Sequence, residues 1–283
     1  MRNYILDLIQ NNKDLPSLPE ITVKLEELLA DPDSKQTDIA KLNETEPVLS
    51  GKIKTHSNSV YYRGITKNTT IPMAIRRLGL NLVRDLTYSL ILTKLFVDKT
   101  ILKTEQFWIH SLAVASFSRS LANRTALYKE ENELAYLSGL MHDIGLIVFS
   151  YIIPDEYLQF LRTDINDKEP LEDNERKKFG IDHAELGALF IEKRWDIHKD
   201  IVLAVRQHHF PFKGSIRERH FSQIVHISNG LCNDQGITVG ITSCQLPLKE
   251  DVLQELFSHI INTNDIVQEV KTSLEEAKAL LYS

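Results

Sequence analysis

The 283-residue sequence predicts an all-α protein, and three observations carry this prediction. Apolar residues recur at helical spacing along most of the chain, as in Ile21, Leu25, Leu28 and Leu29. Eleven glycines and nine prolines are few for a β-sandwich or barrel, which needs many turns. Hydrophobic residues make up 42% and charged residues 25%, as in ordinary globular proteins, so wholesale disorder is excluded.

Residues 1–98 are predicted to form an N-terminal helical lobe. Its helix starts and stops are indicated by capping and breaking residues, namely Ser17 with Glu20, Asp31 with Pro32, Pro47, Pro72 and Gly79. A long helix then spans about residues 82–97. The polar run at residues 98–100 predicts the boundary between two lobes.

Residues 99–235 are predicted to form a second helical lobe. Its helices are expected near residues 105–121, 133–141, 154–161, 171–179, 182–195, 199–209 and 217–232. Residues 236–283 are expected to hold a glycine- and threonine-rich loop and two helices that pack on the module. The last of these helices, residues 263–281, has an apolar stripe that suits its own domain better than a partner.

The composition of the chain disfavours several classes of function and location. Thirty-three Lys and Arg against 39 Asp and Glu give a formal net charge of −6, so non-specific nucleic-acid binding is disfavoured. The basic residues of the first lobe are interpreted as a solvated face: Lys52, Lys54, Arg63, Lys67, Arg76, Arg77 and Arg84. No apolar run approaches the roughly 20 residues of a membrane span. No secretory signal is visible, and two cysteines, Cys232 and Cys244, fit a reduced compartment, so a cytoplasmic location is predicted.

Several histidines lie at helix ends or on helices that are otherwise apolar. With one aspartate they form the candidate set His110, His142, Asp143, His183, His208 and His209. Imidazole and carboxylate ligands suit Fe, Mn, Ni, Co or Zn better than Ca or Mg. Helical bundles build metal sites from ligands on several helices. Each histidine taken alone is also explained as a structural or exposed residue.

The order of these residues resembles the HD superfamily of metal-dependent phosphohydrolases, and the local sequence is closer to its divergent HDOD branch. The matching segments of the second lobe are FWIHSLA at 107–113, LSGLMHDIG at 137–145, FGIDHAELG at 179–187 and IVLAVRQHH at 201–209. In the first lobe they are LPSLP at 15–19, Asn58-Ser59 and AIRRLG at 74–79. The resemblance implies an HD-domain-like helical bundle with an N-terminal helical lobe.

The resemblance also implies ligands. In hydrolytic members, the first histidine, the HD pair and a later aspartate hold one metal. Further histidines hold a second metal or the phosphate. Water activated by the metal then attacks the phosphorus atom. All six candidate residues keep these positions. Asn229 stands where the later aspartate is expected and would be a weak ligand. If the site is active, Asp143 and His183 would be catalytic.

Three departures count against hydrolysis. Asn229 brings no charge, and Leu146 follows Gly145 where the HD-GYP cyclic-dinucleotide branch has a lysine. Gln106 lies four residues before His110, where that branch has an acidic ligand. The expected site is therefore degenerate, with any transition metal serving structure or sensing.

Two functions remain open from the sequence. The first is a bacterial signal-transduction module that acts through protein partners. The second is a metal-dependent phosphohydrolase acting on a nucleotide or cyclic dinucleotide, and the departures favour the first. Nucleic acid and membrane are not expected as partners, and the oligomeric state is left open.

Overall fold

The computed structural model describes residues 1–59, 62, 67, 70–96, 100–125, 132–241, 250–257 and 263–282. These residues contain helices and no strand, so the all-α prediction is confirmed. The helices are α1 Arg2–Asn11, α2 Glu20–Ala30, α3 Gln36–Glu44, α4 Pro47–Ser57, α5 Ile71–Leu78, α6 Leu80–Leu95, α7 Thr104–Ala122, α8 Glu133–Met141, α9 Ile144–Ile152, α10 Pro154–Gln159, α11 Leu171–Phe179, α12 His183–Arg194, α13 Lys199–Gln207, α14 Ile216–Asp234, α15 Glu250–Leu256 and α16 Thr263–Tyr282. One π-helical turn, Phe160–Asp164, follows α10.

The chain forms two compact units. The N-terminal unit comprises Ser17–Leu95 and Glu275–Ser283, and the C-terminal unit comprises Met1–Pro16 and Phe96–Leu274. The sequence places a lobe boundary at residue 98, and the change of unit falls at Leu95. The structure also places Met1–Pro16 in the C-terminal unit, whereas the sequence prediction places these residues in the N-terminal lobe.

The helix α1 has no counterpart in the sequence prediction. Its Ile5 and Ile9 are buried, and the Arg2 guanidinium donates to the carbonyl oxygen of Gly180 (2.7 Å). Arg194 donates to the carbonyl oxygen of Ile9 (2.8 Å). These contacts attach the start of the chain to α12 and to the turn before it.

The N-terminal unit has its own apolar core, which α2 to α6 supply. The core is formed by Leu25, Ile39, Ala40, Leu49, Ile53, Ile71, Ala74, Ile75, Val83 and Leu90. At the start of α2 the predicted capping box of Ser17 and Glu20 is wrong. Pro19 is the N-cap residue, with an extended backbone and no side-chain cap, and a proline disfavours helical geometry in the residue before it.

Two residues of the predicted basic face are engaged within this unit. Arg84 is buried and pairs with Glu26 (Nε to Oε1, 2.7 Å), and Arg77 donates to the carbonyl oxygen of Ser57 (3.1 Å). Arg63 lies outside the described residues.

The C-terminal unit packs around α7, α8, α13 and α14, each of which contacts two or more of the others, while α12 packs on α9 and α13. The stretch Glu133–Ile152 is long and apolar enough to cross a membrane, but 94% of its apolar window is buried inside the protein. It is thus a core segment of this unit. Trp108 and Trp195 are also buried and belong to the apolar core.

The first half of α16 also packs on the C-terminal unit. Its Ile266, Val270 and Leu274 are buried, and its Glu269 pairs with Arg124 (2.8 Å). The first half of the stripe therefore packs on the C-terminal unit, and the packing of the whole stripe on the chain's own domain stays a prediction. Cys232 is buried and free, whereas Cys244 lies outside the described residues.

The close approach of α9 to α12 depends on Gly145. A β-carbon at this position would lie 1.9 Å from the carbonyl oxygen of His183 and 2.8 Å from the amide nitrogen of Gly187. The structure places Gly145 in the first turn of α9. Its missing side chain lets the two helix backbones touch.

We therefore expect Gly145→Ala to lower the free energy of unfolding by about 1–3 kcal/mol or more, because backbone must move to admit the methyl group. The control is Gly51→Ala in α4, where a β-carbon would meet no atom within 4 Å. That change should stabilise the helix by up to about 1 kcal/mol. Urea unfolding of both variants measures the difference, and equal stabilities for the two would contradict the close approach.

Candidate metal centre

The pair His142 and Asp143 lies between two helices. His142 is the C-cap residue of α8 and Asp143 is the N-cap residue of α9. The break between the helices turns both side chains into the core, where His142 is 0% and Asp143 7% exposed. Each oxygen of the Asp143 carboxylate then faces a different set of histidines.

One set, the two-histidine group, consists of His110, His142 and Asp143. Oδ2 of Asp143 lies 3.2 Å from His142 Nε2 and 3.7 Å from His110 Nε2. The two Nε2 atoms are 3.3 Å apart. The three donor atoms of this group lie within 4.8 Å of one another.

The other set, the three-histidine group, consists of His183, His208, His209 and the same Asp143. Oδ1 lies 3.4 Å from His183 Nε2 and 3.5 Å from His208 Nε2. His209 Nε2 lies 2.7 Å from His183 Nε2. The four donor atoms of this group also lie within 4.8 Å of one another. Helices α7, α12 and the ends of α8 and α13 thus bring the six candidate residues together.

Three of the rings are held in one tautomer by the backbone. The Nδ1 atoms of His110, His142 and His208 lie 2.8 Å from the carbonyl oxygens of Ile237, Gly139 and Val205. A carbonyl oxygen only accepts, so each Nδ1 carries the hydrogen and each Nε2 presents a lone pair to the centre. His208 Nε2 is buried and has no hydrogen-bond partner in the described structure.

A buried glutamate holds the ring of His183. Glu175, on α11, accepts from His183 Nδ1 (2.6 Å) and from the His183 amide (2.7 Å). Its other oxygen accepts from the Tyr157 hydroxyl (2.7 Å). One turn earlier, Glu172 Oε1 lies 3.5 Å from His209 Nδ1.

Tyr157, Glu172 and Glu175 are not among the residues predicted from the sequence. The only available signal was the i, i+3 spacing of the two glutamates just before His183.

Burial and charge shift the pKa values of these groups. Burial would raise the pKa of Asp143, but the adjacent histidines, His142 first, hold it well below its usual value. Burial lowers the pKa of His110 and His208 to about 4 each. Burial also opposes protonation of His183, yet Glu175 and Asp143 raise its pKa well above the usual range.

Asn229 is placed differently from the other candidates. It is half-buried on α14, and its side-chain oxygen accepts from Asn233 Nδ2 of the same helix (3.3 Å). That oxygen is therefore engaged within α14, and its role as a weak ligand stays a prediction. The nearby His226 donates from Nδ1 to the carbonyl oxygen of His208 (2.7 Å) and so supports the His208–His209 turn.

The donor set fits a transition metal. Neutral imidazoles with Nε2 directed inward, each oriented by a partner on Nδ1, are the form that metals bind. One carboxylate completes the mixture of ligands that suits Fe, Mn, Ni, Co or Zn. The buried cluster can therefore bind a metal ion through His110, His142, Asp143, His183, His208 and His209.

The fold and this donor set define a helical protein of the HD superfamily, with a His/Asp cluster in one unit. The sequence matches the model of the HDOD domain over residues 15–211. The chain belongs to the HDOD domain family, as the sequence motifs predict.

Known proteins support the same fold. A solved HDOD domain protein of unknown function from Geobacter sulfurreducens is 23% identical with a TM-score of 0.80, covering 99% of this chain and 96% of that chain. A Marinobacter aquaeolei VT8 protein, named for a proposed role in signal transduction, is 19% identical with a TM-score of 0.75; the match covers 100% of this chain and 66% of that one. A Shewanella amazonensis SB2B protein, named as a proposed phosphohydrolase, is 19% identical with a TM-score of 0.74 and 98% coverage of both chains.

A curated relative is longer than this chain. An uncharacterized protein of Treponema pallidum (strain Nichols) is 24% identical over 199 residues, which are 69% of this chain and 38% of the relative. The matched region therefore spans well under half of that protein.

We expect the metal-free protein to lose stability as the pH falls from about 6.5 to about 4. In this window the unfolded chain binds protons that the buried His110 and His208, with pKa values of about 4, do not take up. At about pH 4, each of these two buried histidines lowers the free energy of unfolding by on the order of 3 kcal/mol relative to its value at neutral pH. His183 acts in the opposite direction, because its raised pKa adds stability at low pH that is lost as the pH rises.

Urea unfolding in chelator, at several pH values from about 7 to 4.5, measures this dependence. His110→Gln should flatten the profile, whereas His198→Gln, which changes a half-exposed ring, should leave it nearly unchanged. A profile of the native chain that is flat across this window would contradict the buried neutral state of these histidines.

Proposed function

We propose that this protein is a regulatory HDOD module of bacterial signal transduction, acting through protein partners, and that its His/Asp cluster binds a transition metal in a structural or sensing role. The burial of the cluster is the observation that carries the proposal. The side chains of His142, His208, His110, His183 and Asp143 are 0%, 0%, 2%, 3% and 7% exposed, and that of His209 is 17% exposed. A catalytic metal keeps a coordination position open to substrate, and burial of this degree favours a closed site.

The surroundings of the cluster also favour a non-catalytic role. Leu146 is buried at the position where a phosphate-binding lysine would stand in the HD-GYP branch. The side-chain oxygen of Asn229 is engaged with Asn233. The described cluster therefore lacks the cation and the second acid that would stabilise a phosphoryl group and a second metal.

Signalling through partners agrees with the name of the Marinobacter relative. The chain itself offers a means of coupling, since all of the donors except His110 lie on or beside a helix end of the C-terminal unit. A change in the metal would therefore act directly on how α8, α12 and α13 are held.

Hydrolysis of a nucleotide or cyclic dinucleotide is the alternative, and one observation favours it. The two oxygens of Asp143 face two separate groups of inward-directed nitrogens, an arrangement that can hold more than one ion. The name of the Shewanella relative points the same way. A bound divalent metal would supply Lewis-acid activation of water; Asp143 would hold the metal and His183 would bind it or the phosphate.

Elemental analysis of the purified chain and of the Asp143→Ala variant tests whether the cluster binds a metal, because Asp143 belongs to both groups. We expect stoichiometric transition metal in the native protein and its loss in the variant. The matched control is His198→Ala, outside the cluster, which should retain the metal. Circular dichroism checks that each variant folds. A native protein without metal, or an Asp143→Ala variant that keeps it, would show that the cluster is not the binding site.

Turnover assays test the absence of catalysis. With Mn²⁺, Fe²⁺, Co²⁺, Ni²⁺ or Zn²⁺ added, we expect no metal-dependent hydrolysis of nucleotides or cyclic dinucleotides. Turnover that disappears in Asp143→Ala and persists in His198→Ala would replace the proposal with the phosphohydrolase alternative.

A further inference from the structure

The two groups around Asp143 differ in their number of donors. The three-histidine group offers four protein donors, three imidazoles and Oδ1 of Asp143. The two-histidine group offers three, two imidazoles and Oδ2. Four donors satisfy the preferred coordination of ions such as Zn²⁺ and Co²⁺ without outside ligands. By donor number alone, the three-histidine group is the more complete binding site.

The two groups differ more sharply in the acceptors that face the Nδ1 atoms of their histidines. In the two-histidine group, His110 and His142 each donate to a backbone carbonyl. In the three-histidine group, His183 donates to the carboxylate of Glu175, and His209 Nδ1 lies 3.5 Å from Glu172. Helix α11 therefore places both of its buried carboxylates behind one group.

Glu175 is built into this position. It is 0% exposed and receives three hydrogen bonds, from Tyr157 and twice from His183. An ionised carboxylate only accepts hydrogen bonds, and Glu175 accepts all three of these. Its contact with both the amide and the ring of His183 fixes the ring angle and directs Nε2 to Asp143.

We propose that a single metal ion binds in the three-histidine group, and that Glu175 is the positioning residue that directs it there. This inference deepens the proposed function and rests on the proposal that the His/Asp cluster binds a transition metal. It assigns the ion to His183, His208, His209 and Oδ1 of Asp143. The ion then does not lie in the two-histidine group, to which the resemblance to HD-type sites would add residue 229 as a ligand.

Electrostatics explains the preference. A carboxylate hydrogen-bonded to Nδ1 makes the imidazole a stronger ligand, and it brings a negative charge close to the cation in a medium that screens it poorly. A carbonyl dipole provides the orientation without the charge. The charge that Asn229 does not provide on one side is thus supplied by Glu175 on the other.

Titration of the metal-stripped full chain with Co²⁺ tests the assignment, because the visible absorption of Co²⁺ reports its coordination independently of any activity. We expect one tight equivalent. His209→Ala should weaken Co²⁺ binding by about 10-fold or more and change the spectrum, whereas His110→Ala, the matched change in the two-histidine group, should leave both nearly as in the native chain.

Glu175→Gln isolates the role of the carboxylate. We expect Co²⁺ to bind about 10–100-fold more weakly, with a shifted spectrum. Tyr157→Phe is the control, since it removes one hydrogen bond from Glu175 and keeps the charge, so its effect should be much smaller. If Glu175→Gln does not fold, the comparison of His209→Ala with His110→Ala still decides the location of the ion.

Four results would overturn the inference: no Co²⁺ binding by the native chain, two equivalents of similar affinity, loss of binding in His110→Ala but not in His209→Ala, or native affinity in Glu175→Gln. These results are separate from failure of the proposed regulatory role. Metal-dependent turnover would refute that role, even if the ion lies where we place it.

Discussion

The carboxylate of Asp143, buried among five imidazoles, is the interaction on which the rest of the site depends. Histidines on α7, α12 and the ends of α8 and α13 reach it from positions up to 99 residues apart in the chain. A buried carboxylate is costly unless it is paired and hydrogen-bonded, and here the surrounding rings hold its pKa well below the usual value. Asp143 is also the residue common to both groups, so it joins them into one cluster.

The helices must approach closely for this arrangement to form, and small residues permit it. Gly145 lets α9 contact the backbone of His183, and Gly139 lies where a β-carbon would be 2.8 Å from the backbone of α7. Both glycines belong to the segment that carries His142 and Asp143. The segment that carries the histidine motif is therefore also the place where two pairs of helices, α7 with α8 and α9 with α12, pack without side chains between them.

Much of this was accessible from the sequence, and the failures have physical causes. The helical class and the six converging residues follow from periodicity and from the order of the motifs. Helix α11 has a charged sequence, LEDNERKKF, which by composition suggests a solvated face, so the burial of Glu172 and Glu175 could not be foreseen. The carbonyl of Ile237 that orients His110 has no side-chain signature. The capping box failed because Pro19 imposes an extended backbone where Ser17 would have to begin the helix.

The metal-free cluster contains an unresolved repulsion, and this connects its geometry to its function. His110 and His142 both carry their hydrogen on Nδ1, so their Nε2 lone pairs face each other at 3.3 Å. His208 Nε2 is buried with no hydrogen-bond donor. Lone pairs that face one another in a medium of low polarity repel one another unless a cation lies between them. The chain therefore folds around a place for positive charge, as the proposed binding of a metal ion requires.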